Sequence, residues 1–345
     1  MNKLLTFALP VYNEEATLAN TLDEILSQEK ANEIEIVISC NCSTDRTLEI
    51  AQFYQKQYPQ IIRIHRNPEN IGAVKNVLVV ADLCQTPYIW FFGDDGLFPG
   101  ALAFVLNAIN ERSDLGVITL RSITFQNNHA RLDRPNSKNI DEAEEVIVTR
   151  SLEEYLRTSK DQPYFLSSNI VRKECWNQAM HTTKTCFPHT EIILNIIQKH
   201  TSLIAKKIFV KQRANKWFIP KNFESNLSMI QDICFIGSVG VDLEGFKKRP
   251  QYSLCLQIFS QMFNKKYSTA LTHEQKTKMF QTYKKEKLFL FRKHEYIFNT
   301  LCRYSQDFGL FYLRFITKTY YKFLNGGKVR NPFRIGIIKF WRYRQ

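Results

Sequence analysis

The first 125 residues alternate short apolar runs with amphipathic stretches of helical period. The apolar runs are rich in β-branched and aromatic side chains, and they predict strands at 4–9, 33–39, 61–65, 88–92 and 116–125. Between them, apolar residues spaced three and four apart predict helices at 14–28, from about Thr44 with Ser43 as its cap, and at 72–83. This alternation is typical of an α/β fold with a mostly parallel sheet and helices on its faces.

Beyond this region the pattern is less regular. Residues 126–145 are polar without periodicity and predict a loop over the substrate side. Ser151 with Glu154 predicts a capping box at the start of a short helix. A strand at 164–171 and a helix from about Thr190 then return the chain to the α/β pattern.

The domain organisation follows from where the strand signals stop. We predict one α/β domain over 1–220, with a nucleotide-binding half at 1–125 and an acceptor half at 126–220. The sequence that follows is rich in Phe and Lys and has helical period, so 221–345 is predicted to be a basic helical appendage.

The composition of the chain narrows the class of protein and the cellular compartment that we expect. The chain has 345 residues, of which 44% are hydrophobic, enough for a full core. No uninterrupted apolar run of about 18 residues appears, and the start turns acidic at Glu14 and Glu15, where a signal peptide would still be apolar. The eight cysteines include one CxC pair and no CxxC pair, so neither a zinc knuckle nor a disulfide framework is expected. These features predict a protein with reduced cysteines that works in the cytoplasm.

The charge is distributed unevenly along the chain. The net charge is +14, yet residues 1–125 carry nine basic against fifteen acidic residues, a net charge of −6, which leaves +20 for the rest. Such asymmetry indicates an anionic partner for the basic part: a phospholipid surface, an anionic glycan or nucleic acid.

The end of the chain, 326–345, interleaves six basic residues with large apolar ones. This composition suits an anionic membrane surface, where each basic residue contributes about 1 kcal/mol. The alternative is a helix that packs on the domain and exposes a solvated basic face. No recognised nucleic-acid-binding motif accompanies these charges, so we expect a peripheral position at the inner face of the membrane and no nucleic-acid partner.

Residues that are able to bind a ligand or take part in catalysis follow four of the predicted strands. In doubly wound sheets, ligands bind outside the carboxyl ends of the strands, so these positions are the first candidates for a site. They read PVYNEE at 10–15, CNCSTD at 40–45, RNPENIGAVKN at 66–76 and GDDG at 93–96.

This set of motifs, in this order, resembles the family 2 glycosyltransferases of the GT-A fold. The usual pattern of that family is PxYNEE, an Asp-rich turn ending in GSTD, an NxGxxxxRN-like helix start and a DxD-type acidic turn. The resemblance covers roughly residues 4–217. It implies a GT-A fold and an enzyme that moves a sugar from a nucleotide-sugar donor onto an acceptor hydroxyl.

For the acidic turn at 93–96, the resemblance implies a metal site. A diphosphate leaving group needs a hard cation, and Mg²⁺ or Mn²⁺ prefers carboxylate oxygen. Asp94 directly follows a strand and is the expected ligand. Phe92 stands where the family has another Asp, so the second carboxylate is Asp95 or comes from elsewhere. Taken alone, Asp-Asp-Gly is equally a plain turn.

The nucleotide is expected at the other three motifs. The residues that the resemblance assigns to it are Pro10, Tyr12, Asn13, Glu14, Cys40, Asn41, Asn70, Gly72 and Lys75, with Asp94 beside the phosphates. Read without the resemblance, these are loop residues, a tight turn at the glycine and an exposed helical lysine.

Cys40 departs from the family pattern, which commonly has an Asp at that position. Such an Asp accepts the N3 proton of uracil, which a thiol does only weakly. Cytosine carries no proton on N3, so a cytidine donor loses less from this change. Asn41 is able to address either base.

The general base is expected near the start of the helix within 186–198. An inverting transfer needs a carboxylate or imidazole within reach of the acceptor hydroxyl, and the family places an acidic motif there. Glu191 is the first candidate and His189 the second. Both also suit the plain chemistry of a helix start.

Together these features predict an inverting, metal-dependent transferase that acts on a glycan or lipid-linked acceptor. The segment 213–217, RANKW, is similar to the QxxRW motif of processive synthases but lacks its Gln, so a single transfer is expected. One alternative is an inactive GT-A-like scaffold that binds a membrane or another anionic partner through its basic part. A nucleotidylyltransferase would carry a Gly-rich phosphate loop where this chain has PVYNEE.

Overall fold

The computed structural model describes most of the first 213 residues and isolated positions after them. The described residues are 3–126, 129–131, 146–159, 165–180, 188–213, 232, 274–275, 277–278, 281–282 and 312. The chain divides into two compact units, Met1–Lys216 and Trp217–Gln345. All strands that the structure describes lie in the first unit.

The strands of the first unit form a single sheet. They are β1 (Leu5–Val11), β2 (Glu35–Cys40), β3 (Ile62–Arg66), β4 (Tyr88–Phe91), β5 (Gly96–Leu97), β6 (Leu115–Gln126), β7 (His129–Arg131), β8 (Val146–Thr149), β9 (Asn169–Arg172) and β10 (Thr201–Arg213). The helices are α1 (Leu18–Leu26), α2 (Thr47–Gln57), α3 (Ala73–Leu83), α4 (Ala101–Glu111), α5 (Leu152–Ser159), α6 (Lys173–Ala179) and α7 (Pro188–Ile197), with 3₁₀ helices at Ala31–Glu33 and Leu166–Ser168.

The sheet is mixed. The parallel strands β1 to β4 form one half, and the antiparallel strand β9 joins them to the other half. Its order is β3-β2-β1-β4-β9-β6-β10-β5, with β7 paired to β6 and β8 to β10. β1 to β4 are parallel to one another, and β6 is parallel to β10. β9 is antiparallel to both β4 and β6 and connects the two halves. The predicted α/β class is confirmed.

Both faces of the sheet are buried, which explains the near-continuous apolar runs of its central strands. Along β1, Phe7 and Leu9 point into one core, whereas Ala8 points into the other. On the first face Phe7 stacks on Trp90 with ring centroids 4.5 Å apart, and α1, α2 and α4 cover this core. Helices α3, α6 and α7 cover the second face.

Several predicted boundaries shift for local reasons. Helix α1 begins at Leu18, four residues after the predicted start, because the preceding residues form a turn that closes on the carbonyl of Glu14. Helix α2 begins at Thr47 rather than near Thr44, and its first N–H donates to Asp45, so the prediction of Ser43 as the cap was wrong.

The region after β6 also differs in part from expectation. The predicted strand at 164–171 is shorter, because Leu166–Ser168 winds into a 3₁₀ helix before β9 begins at Asn169. The predicted loop at 126–145 contains β7, and its remaining residues lie largely outside the described part of the chain.

The capping box predicted for the short helix α5 is confirmed. The Ser151 hydroxyl accepts the N–H of Glu154 at 3.2 Å, and the Glu154 carboxylate reaches back to the N–H of Arg150 at 3.1 Å. The first bond satisfies a donor that the first turn of a helix otherwise leaves without a partner, and the second ties the residue before Ser151 to the helix.

In the second unit the described residues are helical, and Glu274 forms an ion pair with Lys278 one turn later, at 3.1 Å. The basic segment at 326–345 lies outside the described residues. Among the helices that the structure describes, none is long and apolar enough to cross a membrane.

Candidate active site

The carboxyl ends of β1, β2, β3 and β4 lie side by side at one edge of the sheet. Because β2 and β3 continue from one side of β1 and β4 lies on the other, the strand order reverses between β1 and β4. In doubly wound sheets a ligand crevice opens at such a reversal. The loop after β1 and residues 93–96 after β4, called the acidic turn below, meet at this position.

The acidic turn is held by hydrogen bonds from distant parts of the chain. The Ser167 hydroxyl donates to one carboxylate oxygen of Asp95 at 2.5 Å, and the backbone N–H of Arg213 donates to the other at 3.1 Å. The Asp95 carbonyl accepts a bond from the Thr21 hydroxyl. Asp95 is buried, with 5% of its surface exposed, whereas Asp94 is half-buried.

Glu14 joins the two aspartates to form a group of three interacting carboxylates. Burial raises the pKa of Glu14 to about 8, and the negative charges of Asp94 and Asp95 add to this shift. Burial also raises the pKa of Asp95 to about 6 and raises that of Asp94. The positive charge of Arg213 acts in the opposite direction on both aspartates.

The chemistry of these residues fits a divalent cation that is completed by a ligand. Among the residues described, no group of three or more His, Cys, Asp or Glu side chains is arranged to enclose a metal ion by itself. Mg²⁺ is commonly bound by one or two carboxylates together with substrate phosphates and water, so a full protein cage is not needed. Asp94 would hold the ion, with Glu14 nearby to offset its charge.

Two neighbouring positions are poorly suited as ligands. Asp95 already has a protein donor on each carboxylate oxygen, so its side chain serves the fold of the turn. Phe92 is fully buried and packs against Phe7 and Trp90, so the position where the family has a further Asp belongs to the core here.

The loops after β1 and β2 are tied together by Asn13. Its backbone N–H donates to the Ser43 hydroxyl at 3.1 Å, and its side-chain oxygen accepts the N–H of Thr44 at 2.8 Å. Asn13 has a φ of 54°, in the left-handed region that asparagine tolerates better than most residues. Its neighbour Tyr12 is 44% exposed, while Pro10 lies within β1 opposite Ser39 of β2.

Cys40 and Asn41 end β2 and begin the following loop, and both are buried. The Cys40 thiol donates to the Ser43 hydroxyl at 3.3 Å and belongs to the hydrophobic core. The Asn41 side chain donates to Asn70 at 2.9 Å and accepts the backbone N–H of Ile71 at 3.0 Å. Both side chains therefore contribute to the shape of the loops around the crevice.

Asn41 is part of a larger set of hydrogen-bonded amides, called the asparagine network below: Asn41, Asn67, Asn70 and Asn76. Asn67 donates to the oxygens of Asn41 at 3.0 Å and Asn76 at 2.9 Å. Asn76 in turn donates to the carbonyl of Ser39 and accepts its hydroxyl. The network fixes the loop after β3 to the end of β2.

The start of α3 is the exposed end of this loop. Gly72 has a φ of 83°, and a Cβ built there would meet nothing within 4 Å, so the backbone conformation is what requires glycine. Its N–H donates to the Asn70 side chain at 2.9 Å. Lys75 is exposed in the first turn of α3, where a helix N-terminus and a cation both favour an anion.

The two candidate bases lie in the first turn of α7. Glu191 is buried, with 8% of its surface exposed, and His189 is half-buried. The rest of the helix packs on the second face of the sheet through Ile192, Ile193 and Ile196. Neither residue follows β1 to β4, so their action on an acceptor stays a prediction.

Two residues of the site were not predicted from the sequence. Ser167 and Arg213 reach the acidic turn from 72 and 118 residues away along the chain. A buried serine before a short strand carries no recognisable pattern. Arg213 begins the RANKW segment, but only the sheet shows that the end of β10 lies against the turn.

The likeness to known proteins agrees with this geometry. Residues 6–175 match the family model described as Glycosyl transferase family 2. This part of the chain therefore belongs to glycosyl transferase family 2 and forms a glycosyltransferase domain.

Two curated relatives and one solved structure are similar to it. The chain is 30% identical over 209 residues to the abequosyltransferase RfbV of Salmonella typhimurium, a match that covers 56% of this chain and 61% of that protein. It is 23% identical over 217 residues to a chondroitin synthase of Escherichia coli, covering 55% of this chain and 31% of that one. The match thus spans less than two thirds of either relative.

The fold has a counterpart in S. aureus TarS residues 1–349, solved in complex with UDP-GlcNAc. The TM-score is 0.55 at 14% identity, and the alignment covers 95% of this chain and 93% of that one. The predicted GT-A fold is confirmed by this likeness.

Proposed function

We propose that the chain transfers a single sugar from a nucleotide-sugar donor to an acceptor hydroxyl, with inversion and with Mg²⁺ or Mn²⁺. The observation that carries the proposal is the group of carboxylates at the crevice between β1 and β4, within a family 2 glycosyltransferase domain. A site lined by several acidic side chains suits a reaction whose leaving group arrives as a diphosphate with a cation.

In this account each part of the site has one task. The exposed ring of Tyr12 and the loops fixed by the asparagine network receive the nucleoside, and Lys75 at the start of α3 faces the phosphates. Asp94 would hold a divalent ion, and such an ion would supply positive charge to the departing diphosphate.

Glu191 removes the proton of the acceptor hydroxyl as its oxygen forms a bond to the anomeric carbon. The bond from that carbon to the donor phosphate breaks from the opposite side, so the configuration inverts and the nucleoside diphosphate leaves. His189, two residues earlier and more exposed, is the alternative base.

The surroundings of Cys40 bear on which nucleobase the donor carries. Its thiol is buried and bonded to Ser43, so it offers no carboxylate to the N3 proton of uracil. A cytidine donor loses less from that change, and we therefore expect a cytidine donor to be used at least as well as a uridine donor.

The acceptor is proposed to be a surface glycan or a lipid-linked intermediate. The names of the relatives, among them an abequosyltransferase and a teichoic acid poly(glycerol phosphate) polymerase, support a role in glycan or cell-surface polymer assembly. The basic segment at 326–345 supports work at the inner face of an anionic membrane.

The test is turnover of UDP-, CDP- and dTDP-sugars by the purified chain, with Mn²⁺ and with EDTA, measured as release of the nucleoside diphosphate. We expect turnover that requires the metal and that is faster with one of the three nucleobases than with the other two. Absence of turnover with every donor, together with absence of metal-dependent nucleotide binding, would support the inactive scaffold instead.

A further inference from the structure

Ser167 contacts the acidic turn on both sides of Asp94. Its hydroxyl accepts the backbone N–H of Gly93 at 3.0 Å and donates to the Asp95 carboxylate at 2.5 Å. One oxygen atom therefore fixes the residue before Asp94 and the residue after it. A hydroxyl is suited to this because it donates one bond and accepts others at the same atom.

The support behind Ser167 is itself rigid. Ser167 is fully buried in the 3₁₀ helix Leu166–Ser168, directly before β9. Its carbonyl accepts the indole N–H of Trp90 at 2.9 Å, and Trp90 lies in the core of β4. The serine is thus anchored to the strand that leads into the turn.

The second oxygen of Asp95 completes the arrangement. It accepts the backbone N–H of Arg213 at the end of β10. Asp95 is therefore held from the 3₁₀ helix before β9 on one side and from β10 on the other, and both of its carboxylate oxygens accept bonds from the protein. Its neighbour Asp94 is the less buried of the two aspartates.

We propose that Ser167 is a positioning residue that fixes the acidic turn, so that Asp94 presents its carboxylate to the cation of the donor diphosphate. Asp95 takes part as the partner of Ser167 and not as the main metal ligand. The inference rests on the proposed function, and it adds a residue outside the four motifs that the sequence indicates. Residues that orient a metal ligand commonly affect metal affinity by about 10- to 100-fold.

The test compares Ser167→Ala with a matched deletion of a buried hydroxyl at the opposite end of β4. Thr86 is buried, pairs with the Thr6 hydroxyl at 2.7 Å and donates to the Tyr88 carbonyl at 2.8 Å, so Thr86→Val removes two similar bonds. Ser167→Cys keeps a weak donor of similar size and serves if the alanine variant does not fold.

Three readouts are needed: the Mn²⁺ concentration for half-maximal turnover, Mn²⁺-dependent binding of CDP and UDP by calorimetry without turnover, and the melting temperature. We expect Ser167→Ala to raise the half-maximal Mn²⁺ concentration and the Kd of the metal-bound nucleotide by about 10- to 100-fold. Ser167→Cys should show a smaller change in the same direction. Thr86→Val should lower the melting temperature without altering either metal response.

A wild-type metal response in Ser167→Ala, from a protein that does turn over, would overturn the inference and leave the proposed function intact. An equal change in Thr86→Val would also overturn it, because the effect would then be one of general stability. If the wild-type protein neither turns over nor binds either nucleotide with Mn²⁺, the proposed function fails and the inference fails with it.

Discussion

The two sides of the crevice are built from opposite kinds of side chain. On the side of β2 and β3, the neutral amides of the asparagine network satisfy one another, with Asn67 bonded to both Asn41 and Asn76. On the side of β1 and β4, Glu14 and Asp94 lie close to Asp95 and repel one another. One side consists of neutral amides bonded to one another, and the other gathers acidic side chains.

The difference suggests separate roles for the two sides: the amides set the shape of the crevice, and the carboxylates set its charge. Hydrogen-bonded amides hold loops in one conformation without attracting ions, so we propose that the neutral side fixes where a nucleoside fits. Buried carboxylates of like charge raise the free energy of the ionised state, which a divalent cation relieves. Each prediction below alters one side and asks whether the other is affected.

The largest effect is expected from Asp94→Asn. Removing this charge should lower kcat/KM by about a thousandfold, because metal stabilisation of the transition state is worth several kcal/mol. The melting temperature should be unchanged or raised, since burial raises the pKa of Asp94 and its ionised form opposes folding at neutral pH. Asp82→Asn, the same change at an exposed position on α3, is the control for activity and stability.

Glu191→Gln tests the part of the mechanism that belongs to neither side. We expect kcat to fall by about a hundredfold with little change in donor KM, because a general base acts on the acceptor proton and not on donor binding. His189→Gln is the comparison. A larger loss of kcat in that variant would contradict the choice of Glu191 and assign the base to the imidazole.

Asn67→Ala breaks the neutral side. The free energy of unfolding should fall by about 1–3 kcal/mol, because the buried oxygens of Asn41 and Asn76 each lose one of two donors. Chemical denaturation measures this change in the free energy of unfolding. The Mn²⁺ concentration for half-maximal turnover should stay at its wild-type value, whereas donor KM should rise. The exposed Asn107, which contacts Lys30, offers a surface control as Asn107→Ala.

The remaining effect is a pH dependence of stability that comes from Glu14. Its pKa rises from 4.5 in the unfolded chain to about 8 in the folded protein, chiefly through burial. The folded state therefore binds this proton more tightly, and the stability it contributes below pH 4.5 is lost as the pH rises toward 8.

Glu14→Gln should remove that loss. Between pH 5 and 8 without added metal, the wild-type melting temperature should fall relative to that of the variant. The fall should be about 2–4 °C for each kcal/mol by which the free energy of unfolding decreases. Scanning calorimetry across this pH range measures the difference, with the exposed Glu69→Gln as control. Parallel curves for wild type and Glu14→Gln would contradict the raised pKa.

The fold of the first 125 residues is largely predictable from local pattern. Strands β1 to β4 and helix α3 lie within about two residues of the predicted bounds, because apolar runs and helical spacing are strong there. Helix α1 differs at its start because Glu14 and Glu15 look helical in sequence but form a turn. The insertion of β9 between β4 and β6 depends on tertiary pairing, which a single sequence does not encode locally.

The motifs located the crevice but not the contacts within it. Asp94 and Glu14 come from separate motifs, and their mutual repulsion appears only once β1 and β4 are neighbours. Asn67 and Asn76 lie within the motif at 66–76, but the sequence does not show that their side chains bond to each other. The side chain of Ser167 reaches Asp95 across 72 residues, so only the fold brings the two together.

The most direct test of the account is calorimetric binding of CDP and UDP to the wild-type chain and to Asp94→Asn, each with Mn²⁺ and with EDTA. The account predicts that the wild-type protein binds one of the two nucleotides with Mn²⁺, and that EDTA or the Asp94→Asn substitution removes this binding. Equal affinity of the wild-type protein in Mn²⁺ and in EDTA would contradict the central claim that the charged side of the crevice requires a cation.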